Sequence, residues 1–287
     1  MCFLSTLFSV TKWFINIKIK EMKELKSVLL VLMITLVVSC KKDEPNQIIE
    51  EPTGKVALEF QNVYQDSPFG LHQDNTTPPP MKQKINYSRF TYMISDISLV
   101  NDKGEEVKYY HTNPDKGAFL LVHHENTTPK EIELKQIPIG TYTKVKLRVG
   151  LSNAAWKLGE NQQQTFWNAS KAVGMTWDSW SKGYKHFNIE GNWGEEAQAF
   201  SVQIGNIPSE NKERSIELTL SLPENLVVKK GETKNIRFEV NVSAVFGGKN
   251  KITITKENAI VQDESNEIFS KIIENFTTSV FKAASVY

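Results

Sequence analysis

The sequence predicts an all-β fold: an antiparallel β-sandwich or barrel-like domain with a tryptophan-rich loop insertion and a C-terminal helix. Apolar residues alternate with period two in many short segments, and turn residues separate these segments roughly every ten positions. One long stretch breaks the alternation, and the C-terminal residues change to a helical period. The chain has 287 residues and is 40% hydrophobic, which is enough to bury one large core.

The N-terminal segment has the pattern of a secretory signal. Lys23 and Lys26 precede an uncharged apolar run of 11 residues at positions 28–38, which is too short to span a bilayer. Residues upstream of Met22 fit this signal poorly, so we expect Met22 to be the true start and residues 1–39 to be a leader plus signal peptide. The alternative is a chain that keeps residues 1–39 as a buried helix or an uncleaved anchor.

Cys40 is the predicted lipidation site. The stretch "LVVSC" resembles the bacterial lipobox, in which the signal is cut before a cysteine that then carries lipid. The other cysteine, Cys2, would be removed with the signal, so no disulfide or thiolate metal site would remain. Residues 40–54 are polar and contain Pro and Gly, which is typical of a tether, and the β domain is expected over residues 55–287.

The strands follow from alternating apolar residues between turn signals. In "VALEF", for example, Val56, Leu58 and Phe60 share one face, and "DKG" and "PIG" are turn signals between strand-like runs. The stretch "TTPPP" indicates a loop or polyproline segment within residues 69–83. Further strands are predicted in "FTYMISDISLV", "AFLLVHH", "EIELKQI", "YTKVKLRVG", "YKHFNIEG", "AFSVQIG", "SIELTLSL" and "NIRFEVNVSAVF".

Two segments depart from the strand pattern. Residues 151–183 are rich in Asn, Gln, Trp and Gly, which predicts an insertion with its own short helices or loops. Near the C-terminus, Ile268, Ile272, Phe276 and Val280 recur every four residues, with Phe269, Ile273 and Phe281 alongside. This spacing predicts one amphipathic helix, capped by Ser265 or Asn266.

Charge and motifs exclude several classes of function. The net charge is +1 and no basic run exceeds three residues, which argues against a nucleic-acid-binding protein. The sequence has no nucleophile elbow, helical zinc-binding histidine pair, phosphate loop or dinucleotide turn, and no calcium-loop spacing. We therefore predict that the protein is not an enzyme.

The aromatic motif "GMTWDSWSKGYKHFNIEG" at residues 174–191 is the candidate site. All five tryptophans that follow the signal lie between positions 156 and 193. Met175, Trp180 and Tyr184 are candidates for the wall of a binding site, and the alternative is an insertion that needs large side chains to pack onto the sheet. Adjacent His123 and His124 would point to opposite faces of a strand, so they are poorly placed to share an ion.

Several stretches, in this order, resemble the MbnP-like domain, a copper-associated domain of secreted bacterial proteins and lipoproteins. The aromatic motif resembles its most recognisable element, a Gly-Met-x-Trp run that leads to a Gly-Tyr strand and Glu-Gly. The resemblance extends from about Lys55 to Phe281. The other stretches are "RFTYMISDISLVNDKGEEV", the hairpin-like "FLLVHHEN" and "IELKQIPIGTYTKVKLRVGLS", "FSVQIGN", "FEVNVSAVFGG" and the helix "FSKIIENF".

The resemblance implies a copper site formed by histidines and an oxidised tryptophan, kynurenine. It implies Trp177 as the modified residue, and it places histidines near Gln61 and at Gln203, where this chain has glutamine. An amide is a weaker copper ligand than imidazole, so the site would be altered or lost unless His186, His123 or His124 substitutes.

These observations together predict an outer-membrane lipoprotein of the bacterial cell envelope, periplasmic or surface-facing, with a ligand-binding β domain. By the resemblance, the ligand is copper. The alternatives are a metal-free surface module that grips a glycan or partner protein through the tryptophan-rich loop, and a purely structural envelope protein.

Overall fold

Alternating apolar residues build two β-sheets that enclose one hydrophobic core. A computed structural model describes residues 52–109, 112–207 and 210–287. The strands are β1 Thr53–Tyr64, β2 Ser67–Pro68, β3 Asp74–Thr76, β4 Lys84–Asn101, β5 Glu106–Lys108, β6 Leu120–His123, β7 Lys130–Pro138, β8 Gly140–Val149, β9 Lys185–Trp193, β10 Gln198–Gly205, β11 Ile216–Val228, β12 Thr233–Asn241, β13 Ile260–Val261 and β14 Phe281–Val286. The α-helices are α1 Asn153–Lys157, α2 Gln164–Ala172, α3 Ala244–Gly247 and α4 Phe269–Asn275.

The smaller sheet has the order β14-β12-β1-β2, and β7 also pairs with β1. The larger sheet has the order β11-β8-β4-β9-β10-β13, and the short strands β3, β5 and β6 pair with β4. This architecture confirms the predicted all-β sandwich. Two pairings correct the expectation of a wholly antiparallel fold, because β1 and β12 are parallel, as are β10 and β13. Parallel pairing needs a long connection, and both pairs are separated by many residues.

The core lies between the two sheets, where the period-two pattern placed it. Val56, Leu58 and Phe60 of β1 are all buried, as predicted. The Phe60 ring stacks on Phe238 of the neighbouring β12 with ring centroids 5.0 Å apart. Such aromatic pairs contribute about 0.5–1.5 kcal/mol beyond the area that they bury.

The turn at residues 138–140 carries the chain from one sheet to the other. Strand β7, before the turn, pairs with β1 in the smaller sheet, whereas β8, after it, pairs with β4 and β11 in the larger sheet. The Tyr142 hydroxyl donates a hydrogen bond of 2.8 Å to the carbonyl of Pro138 and fixes this corner. The two strands are therefore not the hairpin that the resemblance implied.

The C-terminal segment is only partly helical. Helix α4 ends at Asn275, a π-helical turn covers Phe276–Val280, and β14 follows and pairs with β12. The four-residue spacing is real, because Ile272, Phe276 and Val280 are all buried, but Phe281 belongs to a strand. The side chain of Asn266 accepts a hydrogen bond from the amide of Ile268, the residue at the helix N-cap.

The predictions for the signal and Cys40, and for the tether up to residue 51, lie outside the described part of the chain. Residues 53 and 54, which were predicted to end the tether, already belong to β1. Among the residues that the structure describes, no helix is long and apolar enough to cross a membrane.

Candidate functional site

The insertion between β8 and β9 covers part of the outer face of the larger sheet. As predicted, it contains short helices, α1 and α2, and two 3₁₀ turns. Its apolar side chains form a second hydrophobic cluster that is separate from the main core. This insertion core consists of Met93 of β4 together with Leu151, Ala155, Trp167, Met175 and Tyr184.

Most of the aromatic motif belongs to this insertion core. The Trp167 ring contacts Trp180 and Tyr184 edge to face, at centroid distances of 4.8 and 5.1 Å. The buried Tyr184 hydroxyl donates to Oε1 of Gln163, and burial raises the pKa of Tyr184 above its ordinary value. Met175 and Tyr184 are buried, so their predicted place in the wall of a binding site is wrong. Half-buried Trp180 packs on the same rings.

Trp177 is the aromatic residue of the motif that lines a cleft. Its amide donates to the carbonyl of Gly183, and Thr176 and Tyr184 form a β-bridge, which closes a tight loop around it. The loop lays the half-buried indole beside an open cleft of about 280 Å³, called here the Trp177 cleft. Its other lining residues are Ser181, Lys182, Asn206, Ile207, Arg214, Gln262 and Asp263.

Gly205 makes room for the Trp177 indole. A Cβ at this position would lie 3.0 Å from the indole Nε1 and 2.2 Å from the backbone oxygen of Tyr184. Because a backbone oxygen cannot move as a flexible side chain can, any larger residue at position 205 would displace the loop that carries Trp177.

Lys185 lies against the same indole. Its ammonium nitrogen is 4.9 Å from the centroid of the Trp177 ring, within the range of a cation–π interaction. The residue is 9% exposed, and burial lowers the pKa of Lys185, an effect that Glu190 opposes and Arg89 reinforces. The sequence analysis did not single out this lysine, although it directly follows Tyr184 in the aromatic motif.

Gln203 belongs to a row of polar side chains that leads to the cleft. It points outward from β10, because its neighbours Val202 and Ile204 are buried in the main core. Its Nε2 donates 2.8 Å to Oε1 of Glu190, and its Oε1 accepts 3.5 Å from Gln262, which lines the cleft. The other oxygen of Glu190 accepts from Nε of Arg89 at 3.1 Å.

Gln61 lies elsewhere. It is on β1 of the smaller sheet, between the buried residues Phe60 and Asn62, so its side chain points away from the core. Its Nε2 donates 2.8 Å to the carbonyl of Thr127. Gln61 and Gln203 thus occupy the outer faces of two different sheets, and the structure does not bring these two expected ligand positions together.

His186 is a structural residue at the edge of the insertion. Its Nδ1 accepts from the amide of Leu151 at 3.1 Å, and its Nε2 lies 2.7 Å from Oδ1 of Asn206. Because the Asn206 amide nitrogen donates to Leu151, Oδ1 is the acceptor and Nε2 carries the proton. Burial lowers the pKa of His186 to about 4. Both ring nitrogens of this neutral imidazole are therefore already used.

His123 and His124 point to opposite faces, as predicted. His123 Nδ1 lies 2.9 Å from the hydroxyl of Thr91, on the outer face of the larger sheet. His124 is buried in the core, where its Nδ1 accepts 3.0 Å from Asn62 and its ring packs on Phe69. Burial lowers the pKa of both imidazoles.

The described residues do not fit a copper site. Within the ranges that the structure covers, no group of three or more His, Cys, Asp or Glu side chains is placed to hold a metal ion. Trp177 and Gln203 lie near one another on the outer face of the larger sheet, but both His186 nitrogens are engaged and Gln61 is on the other sheet. Imidazole or thiolate ligands would have to be added for tight copper binding.

Comparison with known proteins identifies the family. The MbnP family model matches residues 53–265. The chain belongs to the MbnP family. No curated protein matches it. Among solved structures, MbnP from Methylosinus trichosporium is similar at 13% sequence identity and a TM-score of 0.47, over 75% of this chain and 83% of that chain.

Outside the aromatic motif, the residues that line the cleft of this MbnP-family chain carried no signal in the sequence. Asn206, Arg214 and Gln262 come from three separate segments, and only the folding of β10, β13 and the connections between them brings them to Trp177. Their polarity is ordinary for exposed loops, and no motif joins them.

Proposed function

We propose that this chain is a non-catalytic binding protein, which binds a small glycan in the Trp177 cleft without metal. We further propose that it is an outer-membrane lipoprotein of the bacterial cell envelope, held by lipid on Cys40. The observation that carries the glycan-binding proposal is the position of Trp177. Met175, Trp180 and Tyr184 of the motif are packed into or against the insertion core, whereas the half-buried indole of Trp177 forms the wall of a polar cleft.

The chemistry of the cleft supports a sugar as the ligand. A flat indole offers an apolar surface on which the carbon face of a sugar ring can pack. Around it, the amides of Asn206 and Gln262, the hydroxyl of Ser181 and the carboxylate of Asp263 provide donors and acceptors for hydroxyl groups. A volume of about 280 Å³ is at the lower end for ligand pockets, which suits one or two sugar rings.

A panel of oligosaccharides tests this proposal. The full chain, purified in detergent, is titrated calorimetrically with neutral and acidic disaccharides. Trp177→Ala should weaken binding roughly tenfold or more, because it removes the stacking surface. Trp177→Phe, which keeps a flat ring, is the matched control and should retain most of the affinity. If no sugar binds, or if Trp177→Ala binds as well as the wild type, the proposal is wrong.

Copper binding is the second candidate, and the observation that favours it is membership of the MbnP family together with the nearness of Trp177 and Gln203. Metal content after native purification tests it directly. The mass of the tryptic peptide over residues 172–182 shows whether Trp177 or Trp180 is oxidised.

The two glutamines provide a matched pair for this second candidate. Gln203→His adds an imidazole beside the Trp177 cleft and should raise copper affinity. Gln61→His adds the same group on the other sheet and should leave it unchanged. Equal effects of the two substitutions would contradict a copper site at this cleft.

A further inference from the structure

Two buried cationic side chains near the cleft differ in how their charges are balanced. Among the described residues, Lys185 and Arg214 are each only 9% exposed. Arg214 has a carboxylate partner, since both its Nε and Nη2 donate to Glu264. The ammonium group of Lys185 has neither a hydrogen bond nor a salt bridge within the described part of the chain; its contact is the face of Trp177.

The nearest acidic group does not supply the missing partner. Glu190 interacts electrostatically with Lys185, but its two oxygens are already used by Nε of Arg89 and Nε2 of Gln203. Arg89 and Glu190 balance each other at 3.1 Å, so the positive charge of Lys185 is in excess. A charge that is shielded from water without a partner is costly to a folded protein, and groups perturbed in this way cluster at functional sites.

We propose that Lys185 is the anion-binding residue of this site and that the ligand is an acidic sugar carrying a carboxylate. The inference rests on the proposed glycan-binding function and specifies its ligand class. One excess ammonium matches the single negative charge of a carboxylate. The Lys185 ammonium lies 4.9 Å from the centroid of the Trp177 ring, and this indole lines the cleft, so the charge borders the site through Trp177.

The other cations around the cleft each contact a carboxylate, and Arg214 and Lys212 share that of Glu264. Lys182 is paired with Asp178 at 2.9 Å, and Lys212 with Glu264 at 2.9 Å. Both of these pairs are solvent-exposed and contribute little to affinity. Discrimination between acidic and neutral sugars should therefore depend on Lys185 and not on the exposed lysines around it.

The test compares a uronic-acid disaccharide with its neutral counterpart, which differs only by the carboxylate. Calorimetric titration of the full chain in detergent should give at least tenfold tighter binding of the acidic sugar, as expected for a charge-assisted hydrogen bond in a partly buried site. Lys185→Gln should remove this difference. Lys182→Gln, the exposed control, should keep it.

A second variant protects the test against a folding defect. Lys185→Arg keeps the positive charge and the contact with Trp177, so it should preserve the preference for the acidic sugar within a few-fold. Circular dichroism and the thermal midpoint of unfolding show whether each variant is folded. Equal affinity of the wild type for the two sugars, or a preference that survives in Lys185→Gln, would overturn the inference while leaving glycan binding intact. Failure of both sugars to bind would overturn glycan binding as well.

Discussion

At the scale of single residues, His186 shows how a candidate ligand is used for folding. Its two ring nitrogens join Leu151, where the insertion begins, to Asn206, which follows β10. The same contacts explain a glycine nearby: a Cβ on Gly150 would lie 2.2 Å from Nδ1 of His186, and φ at Gly150 is +104°. Position 150 thus has room only for glycine while the imidazole stays in place.

The lowered pKa of His186 predicts a pH-dependent stability. Between pH 6.5 and about 4 the unfolded chain binds a proton on this residue that the folded chain does not, so stability falls as the pH falls through that window. The full effect corresponds to roughly 3 kcal/mol. Urea unfolding at pH 7 and pH 5 should show about 2 kcal/mol of it, because pH 5 is still above the folded pKa.

His186→Gln is the control, since a glutamine side chain retains a donor and an acceptor but does not titrate. We expect this variant to lose less stability than the wild type between pH 7 and pH 5. Because burial also lowers the pKa of His123 and His124, part of the slope should persist in the variant. Identical slopes for the two proteins would show that His186 is not the group responsible.

At the scale of elements, the insertion is a small domain-like layer with its own core. Trp167 on α2 is central to it, because its ring touches both Trp180 and Tyr184. Tyr184 in turn forms the β-bridge that closes the loop around Trp177. The packing of α2 therefore positions a cleft to which none of its own residues contributes.

Trp167→Ala should destabilise the insertion by about 3–5 kcal/mol, as is usual for loss of a large aromatic side chain from a core. Hydrogen exchange over residues 153–184 should increase while the strands of the smaller sheet stay protected. Gln162→Ala, an exposed substitution in the same insertion, should change neither. If hydrogen exchange over residues 153–184 were the same in Trp167→Ala as in the wild type, a separate insertion core would be contradicted.

The aromatic motif also shows the limit of sequence reasoning about elements. The clustering of the tryptophans was compatible with a hydrophobic core and with a binding site. In the structure, Trp167, Met175 and Tyr184 belong to the insertion core, whereas Trp177 lines the cleft. Spacing along the chain did not separate them, because the insertion has no regular period that would assign each residue to a face.

At the scale of the whole molecule, the predicted lipid anchor would place the proposed binding domain at a membrane surface. Several acyl chains on Cys40 would hold the mature protein on a membrane, since each buried methylene contributes about 0.8 kcal/mol. The predicted tether, residues 40–54, is polar and contains Pro and Gly.

Cys40→Ala tests the anchor. The wild type should partition into the detergent phase of a phase-separating detergent, and the variant should remain in the aqueous phase because it has no acylation site. Ser39→Ala, which keeps a small residue before the cysteine, should behave as the wild type. Aqueous partitioning of wild type and Cys40→Ala alike would rule out the lipoprotein prediction.

The sequence by itself determined the strands, the insertion and the family resemblance, because period-two burial and turn chemistry are local properties that neighbouring residues already express. Only the tertiary structure decided which strands share a sheet, where β7 and β8 separate, and that the final helix gives way to β14, since these depend on pairing between distant segments. The same holds for the site. Trp177 stands out in the sequence, but Lys185, Gln203 and Gln262 reach it only through the register of β9 and β10 and the fold of the chain around them.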